Sequence, residues 1–275
     1  MKILYQISLV ISLTIITLFN FNIKLSLAGE VSEICKNKII SLAANESPPL
    51  ASSELGSNKG LLVDIITDAF KEMGCTIEVT FLPWMRGEKM LNAGKIWGLF
   101  PAYKTSTREK SYLFSDEIIK TKNYFYYFKQ PKLTRFTVLQ ELKKFKIGGT
   151  LGYFYIPLFK DAGLDVEYAR SDLNNLHKLH KGRIDFFLLN EFSARYLLRS
   201  NFRSSAYLFG RLENNYLENE IKIMISKNYK NSTEILAIFN EGLSKLKAKP
   251  SFKNILNELE LLKIPSSNHT NVVPK

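Results

Sequence analysis

The 275 residues include only two cysteines, three histidines and two tryptophans. Two thiols cannot build a four-thiolate zinc site or a disulfide scaffold. None of the histidines stands beside a strand-end nucleophile motif, which leaves a Ser-His-Asp or Cys-His hydrolase unsupported. Glycine (14) and proline (9) are too sparse for a collagen-like or low-complexity chain. No phosphate-cradling glycine loop occurs, and beyond the first residues no apolar run approaches the roughly 20 residues that span a bilayer. Core material is plentiful, with 45% hydrophobic and 12% aromatic residues against 23% charged. That balance excludes disorder and fits one or two globular domains.

Met1 and Lys2 precede an almost unbroken apolar run, Ile7 to Phe19, and Ser26-Leu27-Ala28 sets small residues three and one positions before a cut. This is the pattern of a secretory signal peptide cleaved after Ala28. The run has 13 residues, short for a spanning helix. No cysteine follows the cut directly, the first being Cys35, so a lipid anchor is not indicated. A periplasmic location is expected. The removed segment carries only Lys2 and Lys24, so most of the formal net charge of +12 stays. Its lysines are scattered rather than gathered on one arm, and export takes nucleic acid away as a partner. The charge therefore reads as solvated surface with a bias toward anionic ligands.

In an oxidising compartment Cys35 and Cys75 invite pairing. Each stands just ahead of a strand signal, Ile39 to Ala43 and Thr76 to Phe81. If those strands are adjacent and parallel, the cysteines come within the roughly 4.4 to 6.8 Å between Cα atoms that a disulfide needs. Two free buried thiols are the alternative. From Ile39 onward the chain alternates strand and helix. Leu62, Ile65, Ile66, Ala69 and Met73 recur at helical spacing, with Gly74 as the stop. Trp84 to Ala93 is a short helix ended by Gly94 and leads into the apolar strand Ile96 to Phe100. This βαβαβ order predicts a parallel sheet with helices on its faces.

An extended stretch rich in Tyr and Phe, Ile118 to Phe128, breaks the alternation before a second α/β unit begins. That unit is expected to open with a helix at Thr137, with Gln140 as capping-box partner. Strand Lys146 to Leu151, helix Pro157 to Ala162, strand Val166 to Tyr168, helix Leu173 to Lys181 and strand Ile184 to Leu189 follow. A last extended run, Glu220 to Ser226, precedes the helices Thr233 to Leu246 and Phe252 to Leu262, and the tail from Pro265 is polar and expected to be loose. His177 and His180 are read as part of an amphipathic helix rather than as metal ligands. Two α/β units joined by two crossings predict two lobes, one from residues 29–122 plus 220–275 and the other from 123–219. The crossings would be the hinge, and the ligand cleft would lie beyond the carboxyl ends of the strands.

Several segments carry a resemblance. Gly60-Leu61-Leu62-Val63-Asp64-Ile65 is similar to a helix entry marked by a glycine and an acid, and Phe81-Leu82-Pro83-Trp84-Met85-Arg86 to a Pro-Trp-x-Arg element. Thr105-Ser106-Thr107-Arg108, followed by Tyr112-Leu113-Phe114-Ser115-Asp116, is similar to a Thr-x-x-Arg then Phe-Ser stretch. Lys146-Ile147-Gly148-Gly149-Thr150-Leu151-Gly152 and Gly182-Arg183-Ile184-Asp185 match a glycine loop and a strand entry of the second lobe. In these motifs nearly the whole mature chain resembles the polar-amino-acid class of bacterial periplasmic solute-binding proteins, extracellular solute-binding protein family 3, the receptors of ABC importers.

The resemblance implies a two-lobed type II periplasmic-binding-protein fold that closes by hinge motion on a small polar, carboxylate-bearing solute. It implies a monomer without cofactor, metal or catalysis, with an inner-membrane ABC permease as partner. Arg108 would grip the ligand carboxylate, since a guanidinium offers two parallel donors where lysine offers a point charge. Trp84 and Tyr103, with Arg86 beside them, would form the first-lobe wall. Gly152 and Tyr153, with Asn190 and Glu191, would complete the site on closure. Relatives often hold the ligand ammonium with an aspartate at the strand end, where this chain has Asn190, and carry a serine five residues before the arginine, where it has Tyr103. The same fold resembles periplasmic dehydratases acting on cyclohexadienyl acids, for which Glu191 would be the general acid, and ligand-sensing modules of membrane receptors.

Overall fold

The computed structural model describes residues 33–35 and 39–261; the signal peptide expected to end at Ala28 and the tail from Pro265 lie outside the described residues. The apolar stretch after Cys35 forms strand β1 (Ile39–Ala44). The helically spaced Leu62, Ile65, Ile66 and Ala69 bury one face of helix α1 (Leu61–Lys71). Strand β2 (Thr76–Phe81), helix α2 (Trp84–Asn92) and strand β3 (Gly98–Tyr103) follow. β1 pairs in parallel with both β2 and β3, which completes the expected βαβαβ unit. Next come the short helix α3 (Ser106–Ser111), strand β4 (Tyr112–Phe114) and the long strand β5 (Ile119–Phe128). The second unit consists of β6 (Lys146–Thr150), α4 (Ile156–Asp161), β7 (Asp165–Ala169), α5 (Asp172–His180) and β8 (Phe186–Asn190). β6 runs parallel to both β7 and β8. Helix α6 (Glu191–Asn201), strand β9 (Phe209–Ser226) and helices α7 (Ser232–Lys247) and α8 (Pro250–Leu261) close the described chain.

The described strands make one nine-stranded sheet in the order β2-β1-β3-β9-β5-β8-β6-β7, with β4 paired to β9. Its two ends are parallel, and its middle is the antiparallel pair β5 and β9. β9 begins against the far end of β5, at Phe209↔Phe128, and finishes against β3 and β4, where Ile225 faces Gly98 and Leu113. Both long strands therefore run from one lobe into the other, as two crossings require. This is the two-lobed α/β arrangement expected from the sequence.

Alternation along the central strands explains why they read as nearly continuous apolar runs. In β8, Phe187 and Leu189 enter a cluster with Leu176, Leu179 and Leu198, while Phe186 and Leu188 enter another with Leu142, Ile147 and Phe159. Helices cover both faces, so no residue of the strand meets water. In the first lobe Ile40, Leu42 and Ala44 pack with Phe70, Trp97 and Phe239, and Ala43 and Leu99 pack on the opposite face with Trp84 and Leu91. Phe70 meets Trp97 edge to face at 5.5 Å. α1 and α7 approach so closely that a Cβ at Gly242 would stand 2.0 Å from the Ala69 carbonyl oxygen.

Some details differ from the sequence reading. The second crossing is 18 residues long rather than the seven of Glu220 to Ser226. The helix expected from Thr137 is a 3-10 turn (Leu139–Lys144), and Glu141 rather than Gln140 caps it: its Oε1 accepts from the N–H groups of Thr137 at 3.0 Å and Val138 at 3.2 Å. α3 with β4, and α6, were not anticipated. His177 and His180 pack on the Phe202 ring at 4.9 and 5.4 Å, as members of an amphipathic helix do.

Cys35 and Cys75 form a disulfide, with Cα atoms 4.6 Å apart. It lies at the base of the parallel pair β1 and β2, whose register begins Ile39↔Thr76. The cross-link closes a loop of sequence separation 40, and loop entropy of that size is worth about 3 to 4 kcal/mol. Intact mass after alkylation is expected to change only when reductant is present. The variant Cys35→Ser/Cys75→Ser is expected to lose stability of about that magnitude in urea unfolding.

Candidate functional site

The carboxyl ends of β1, β3, β6 and β8 face a cleft, and the chain places its polar motifs there. Thr105 caps α3, its Oγ1 accepting from the Arg108 N–H at 3.2 Å, so the first and last residues of Thr-x-x-Arg fix each other. The following Phe114-Ser115 stretch is locked to β9: the Ser115 N–H donates to the Ile223 carbonyl at 3.1 Å, and Ser115 Oγ accepts from the Ile223 N–H at 2.9 Å. Arg108 thus leaves a short, well-anchored helix and enters the cleft.

Its guanidinium donates through Nη1 to the Tyr103 carbonyl at 3.1 Å and through Nη2 to the Gly152 carbonyl at 3.2 Å. It stacks 4.6 Å from the centre of the Trp84 ring, an arrangement that favours a cation over an aromatic face. Burial pulls its pKa below the ordinary value, with Glu88 opposing, yet a guanidinium stays charged in proteins. Among the described residues no carboxylate forms an ion pair with it. Gly152 adopts φ +80°, and a Cβ there would stand 2.6 Å from Trp84 Cδ1, so the second-lobe loop touches the first-lobe wall only because the residue is glycine. Trp84 is buried, and its Nε1 has no hydrogen-bond partner among the described residues.

Tyr103 is the other bridge. Its ring meets Phe154 edge to face at 4.6 Å, and its hydroxyl accepts from Asn190 Nδ2 at 3.1 Å and from Asn123 Nδ2 at 3.4 Å. Burial pushes its pKa up to about 12. Asn190 ends β8 and caps α6 at once. Its Oδ1 accepts from the N–H groups of Phe192 at 2.9 Å and Ser193 at 3.3 Å, and its Nδ2 also donates to Thr121 Oγ1 at 2.6 Å. Two donors and two acceptor positions are a primary amide's full capacity, and all are engaged. Ser47 Oγ and Ser193 Oγ meet across the lobes at 3.2 Å.

Beside these groups stands a residue that sequence reasoning missed. Asp172, the first residue of α5, lines the same cavity and is buried. Thr150 Oγ1 donates to its Oδ1 at 2.6 Å and the Tyr153 hydroxyl to its Oδ2 at 3.0 Å. Thr150 Oγ1 in turn accepts from Asn175 Nδ2 at 3.0 Å, and the Thr150 N–H donates to the Tyr155 hydroxyl at 2.8 Å. No cation forms an ion pair with Asp172 among the described residues. Desolvation raises its carboxyl to about pKa 6 against the pull of Thr150 and Tyr153. The available signal was Ser171-Asp172 at the head of an apolar-periodic helix, directly after a strand whose carboxyl end borders the cleft.

Of the residues expected at the site, Trp84, Tyr103, Arg108, Gly152, Tyr153 and Asn190 all line one cavity of about 50 Å³. Arg86 is exposed on α2 and does not line it. Glu191 is buried behind it, with Oε1 accepting from the Lys122 N–H at 3.1 Å. The glycine loop turns the carbonyl of Gly152, not an amide, toward Arg108; the N–H groups of Leu151 and Tyr153 are bonded within the second lobe, to Ala169 and Thr150. Among the described residues no set of three or more His, Cys, Asp or Glu is arranged to hold a metal ion, and no helix is long and apolar enough to cross a membrane.

The profile of the bacterial extracellular solute-binding proteins, family 3, matches residues 39–259. No curated protein matches the sequence. Among solved structures, an ancestral arginine-binding protein bound to arginine is 19% identical, with 80% of this chain and 97% of that one covered and a TM-score of 0.66. The ancestral amino acid-binding protein AncCDT-1, a precursor of cyclohexadienyl dehydratase, is 16% identical over 83% of this chain and 98% of that one, with a TM-score of 0.67. A histidine kinase sensor domain with similarity to periplasmic binding proteins is 16% identical over 80% and 95%, with a TM-score of 0.70. At such identities these three structures speak for the fold alone.

Two outcomes follow from the cleft geometry. Gly152→Ala is expected to hold the lobes apart, because a left-handed alanine costs roughly 1–2 kcal/mol before its contact with Trp84 is counted. Small-angle scattering of the free protein should show a larger radius of gyration than the wild type. For Asp172, a folded pKa of about 6 above the ordinary 3.8 means that its contribution to stability is fully present below about pH 4 and is lost as pH rises to 6. In urea unfolding Asp172→Asn is therefore expected to gain on the wild type between pH 4 and 7, by on the order of 3 kcal/mol.

Proposed function

The chain belongs to the bacterial extracellular solute-binding proteins, family 3, and on that premise we propose that it captures a small carboxylate-bearing solute in the periplasm by hinge closure and hands it to an inner-membrane ABC permease. In this reading the signal peptide is removed after Ala28, and the protein works as a monomer without cofactor, nucleic-acid partner or chemistry of its own. The first lobe comprises residues 29–122 and 220–275, the second 123–219. The hinge lies where β5 and β9 pass between them, at the pairs Thr121↔Asn219 and Lys122↔Glu218.

The observation that carries the reading is Arg108, a permanent charge half-buried in the cleft and hydrogen-bonded only to neutral carbonyls among the described residues. Replacing a carbonyl acceptor by a carboxylate turns a neutral acceptor into a charge-assisted one, and the guanidinium's parallel donors suit two oxygens. A cavity of about 50 Å³ is far below the roughly 300 Å³ or more typical of ligand sites, so entry of a solute separates the lobes along β5 and β9. Trp84, Tyr103, Gly152, Tyr153 and Asn190 then form the walls, with Arg86 and Glu191 outside the contact layer.

A second reading is a sensor that passes its closed form to a membrane receptor, a role compatible with this fold, which a histidine kinase sensor domain also adopts. Deletion of neighbouring permease genes separates the two, because uptake fails only if the partner is a transporter. The experiment that tests binding is a thermal-shift screen against amino acids, organic acids, polyamines and prephenate. A true solute at 100 times its dissociation constant stabilises by about 2.7 kcal/mol. Arg108→Ala is expected to weaken that solute about 30-fold or more. Unchanged affinity rejects the clamp, and turnover of prephenate lost in Glu191→Gln replaces the binding protein with a dehydratase.

A further inference from the structure

The cleft holds two opposite charges that do not neutralise each other. Arg108 reaches in from α3 and is satisfied by carbonyls, while Asp172 reaches in from the head of α5 and is satisfied by hydroxyls. Both line the same cavity, and among the described residues no ion pair joins either of them to a countercharge. A buried charge without a partner is costly unless a ligand completes it. The strand-end amide of Asn190 is neutral and already spends both donors and both acceptor positions on Tyr103, Thr121, Phe192 and Ser193. Asp172, in contrast, accepts one hydrogen bond on each oxygen and keeps acceptor capacity on both.

We propose that Asp172 receives the cationic group of the solute, so that this cleft selects a zwitterion, its carboxylate on Arg108 and its ammonium or guanidinium on Asp172. The inference rests on the solute-binding reading and specifies its ligand class. The site for the cation moves from the end of β8 to the start of α5. Thr150 and Tyr153 act as positioning residues: their hydroxyls hold the carboxylate, and Asn175 orients Thr150 from one turn along the helix. The unpaired Trp84 Nε1 supplies a further donor in the cavity wall for a ligand oxygen.

The affinity then depends on pH through one group. Facing Asp172 or its neighbours in the cleft are Tyr153 and Tyr155 from the glycine loop, Tyr103 from β3, Arg108 from α3 and Glu191 from α6. Burial pushes all three phenols above their ordinary range, and the guanidinium stays charged. Glu191 bonds the Lys122 N–H away from the cavity lining. The Asp172 carboxyl, raised by burial, is the group that changes charge near pH 6.

The test is isothermal titration of the protein expressed from its full sequence and purified in soluble form. Three probe classes are used: the common L-amino acids, carboxylates lacking a cation (succinate, glutarate, pentanoate) and amines lacking a carboxylate (putrescine, cadaverine, agmatine). The tightest ligand is expected to be a zwitterion, weakened about 30-fold or more in Asp172→Asn. Wild-type affinity for it should fall about tenfold per pH unit below 6, and the dependence should be absent in Asp172→Asn. Tyr153→Phe removes a bond to the ionised form, so it should move the midpoint to higher pH, a shift that a purely structural tyrosine would not produce. Thermal melts of the free Asp172→Asn protein show whether it folds, and the wild-type pH profile needs no variant. Zwitterion affinity within threefold of wild type in Asp172→Asn, or a flat wild-type profile between pH 5 and 8, overturns the assignment. Plain carboxylates bound more tightly than zwitterions, with Arg108 still required, overturn Asp172 and leave the carboxylate clamp standing. A zwitterion indifferent to Arg108→Ala but lost in Asp172→Asn overturns the zwitterion assignment through its Arg108 half and the clamp with it, and binding of none of the three classes overturns both readings.

Discussion

A guanidinium cannot shed its charge, so drawing Arg108 half out of water obliges everything around it to supply acceptors and polarisable surface. Trp84 offers a ring face, and Tyr103 and Gly152 offer carbonyls from opposite lobes. The demands run back into the fold. α3 must be capped by Thr105 to aim the side chain, β4 must be pinned to β9 through Ser115 to hold α3, and residue 152 must be glycine for the loop to come within reach. Three of the segments that carry the family resemblance, those holding Trp84, Thr105 and Gly152, meet at this one half-buried cation.

The tyrosine and asparagine that depart from the family pattern form a second system with its own logic. Tyr103 replaces a small polar residue and fills the space between lobes with a ring against Phe154, while its hydroxyl collects donors from Asn123 and Asn190. A carboxylate at position 190 would accept from the α6 amides, but it would have no proton to donate to Tyr103 and Thr121. An amide does both, because it has donors and acceptors on one head group. With a neutral amide at the strand end, Asp172 is the buried negative charge of the cavity lining.

Much of this architecture was legible in the sequence. The continuous apolar run of β8 reflects burial on both faces, and the helical spacing in α1 and α5 reflects one buried face; such patterns survive whatever the loops do. The parallel placement of β1 beside β2 was enough to bring Cys35 and Cys75 together. Only the apolar end of β9 reads as a strand, because Gly210, Asn214 and Asn215 are residues that chains use for turns; Gly210 nonetheless pairs with Tyr127, and the asparagines fall where the register to β5 shifts. α6 went unseen because no linker announces it: Asn190 is both the last strand residue and the helix cap. Among site residues, those on motifs were found. Asp172 was missed because its role comes from tertiary neighbours, Thr150 and Tyr153, which lie 22 and 19 residues away in the chain.

Closure and recognition are the same equilibrium here. The Gly152 carbonyl sits on the Arg108 donor that a solute carboxylate would use, and the cavity left beside it is only about 50 Å³. A solute does not drop into a preformed chamber; it must exchange with the loop. The exchange is favourable for an anion, since a carboxylate outcompetes a neutral carbonyl for a guanidinium in a low-dielectric site. It is unfavourable for a neutral molecule of equal size, which would break the same contact and restore less. In the proposed reading, specificity for charge would arise partly from the contact the protein makes with itself, and the strength of the Gly152–Arg108 bond would set how large an advantage a ligand needs before the lobes yield.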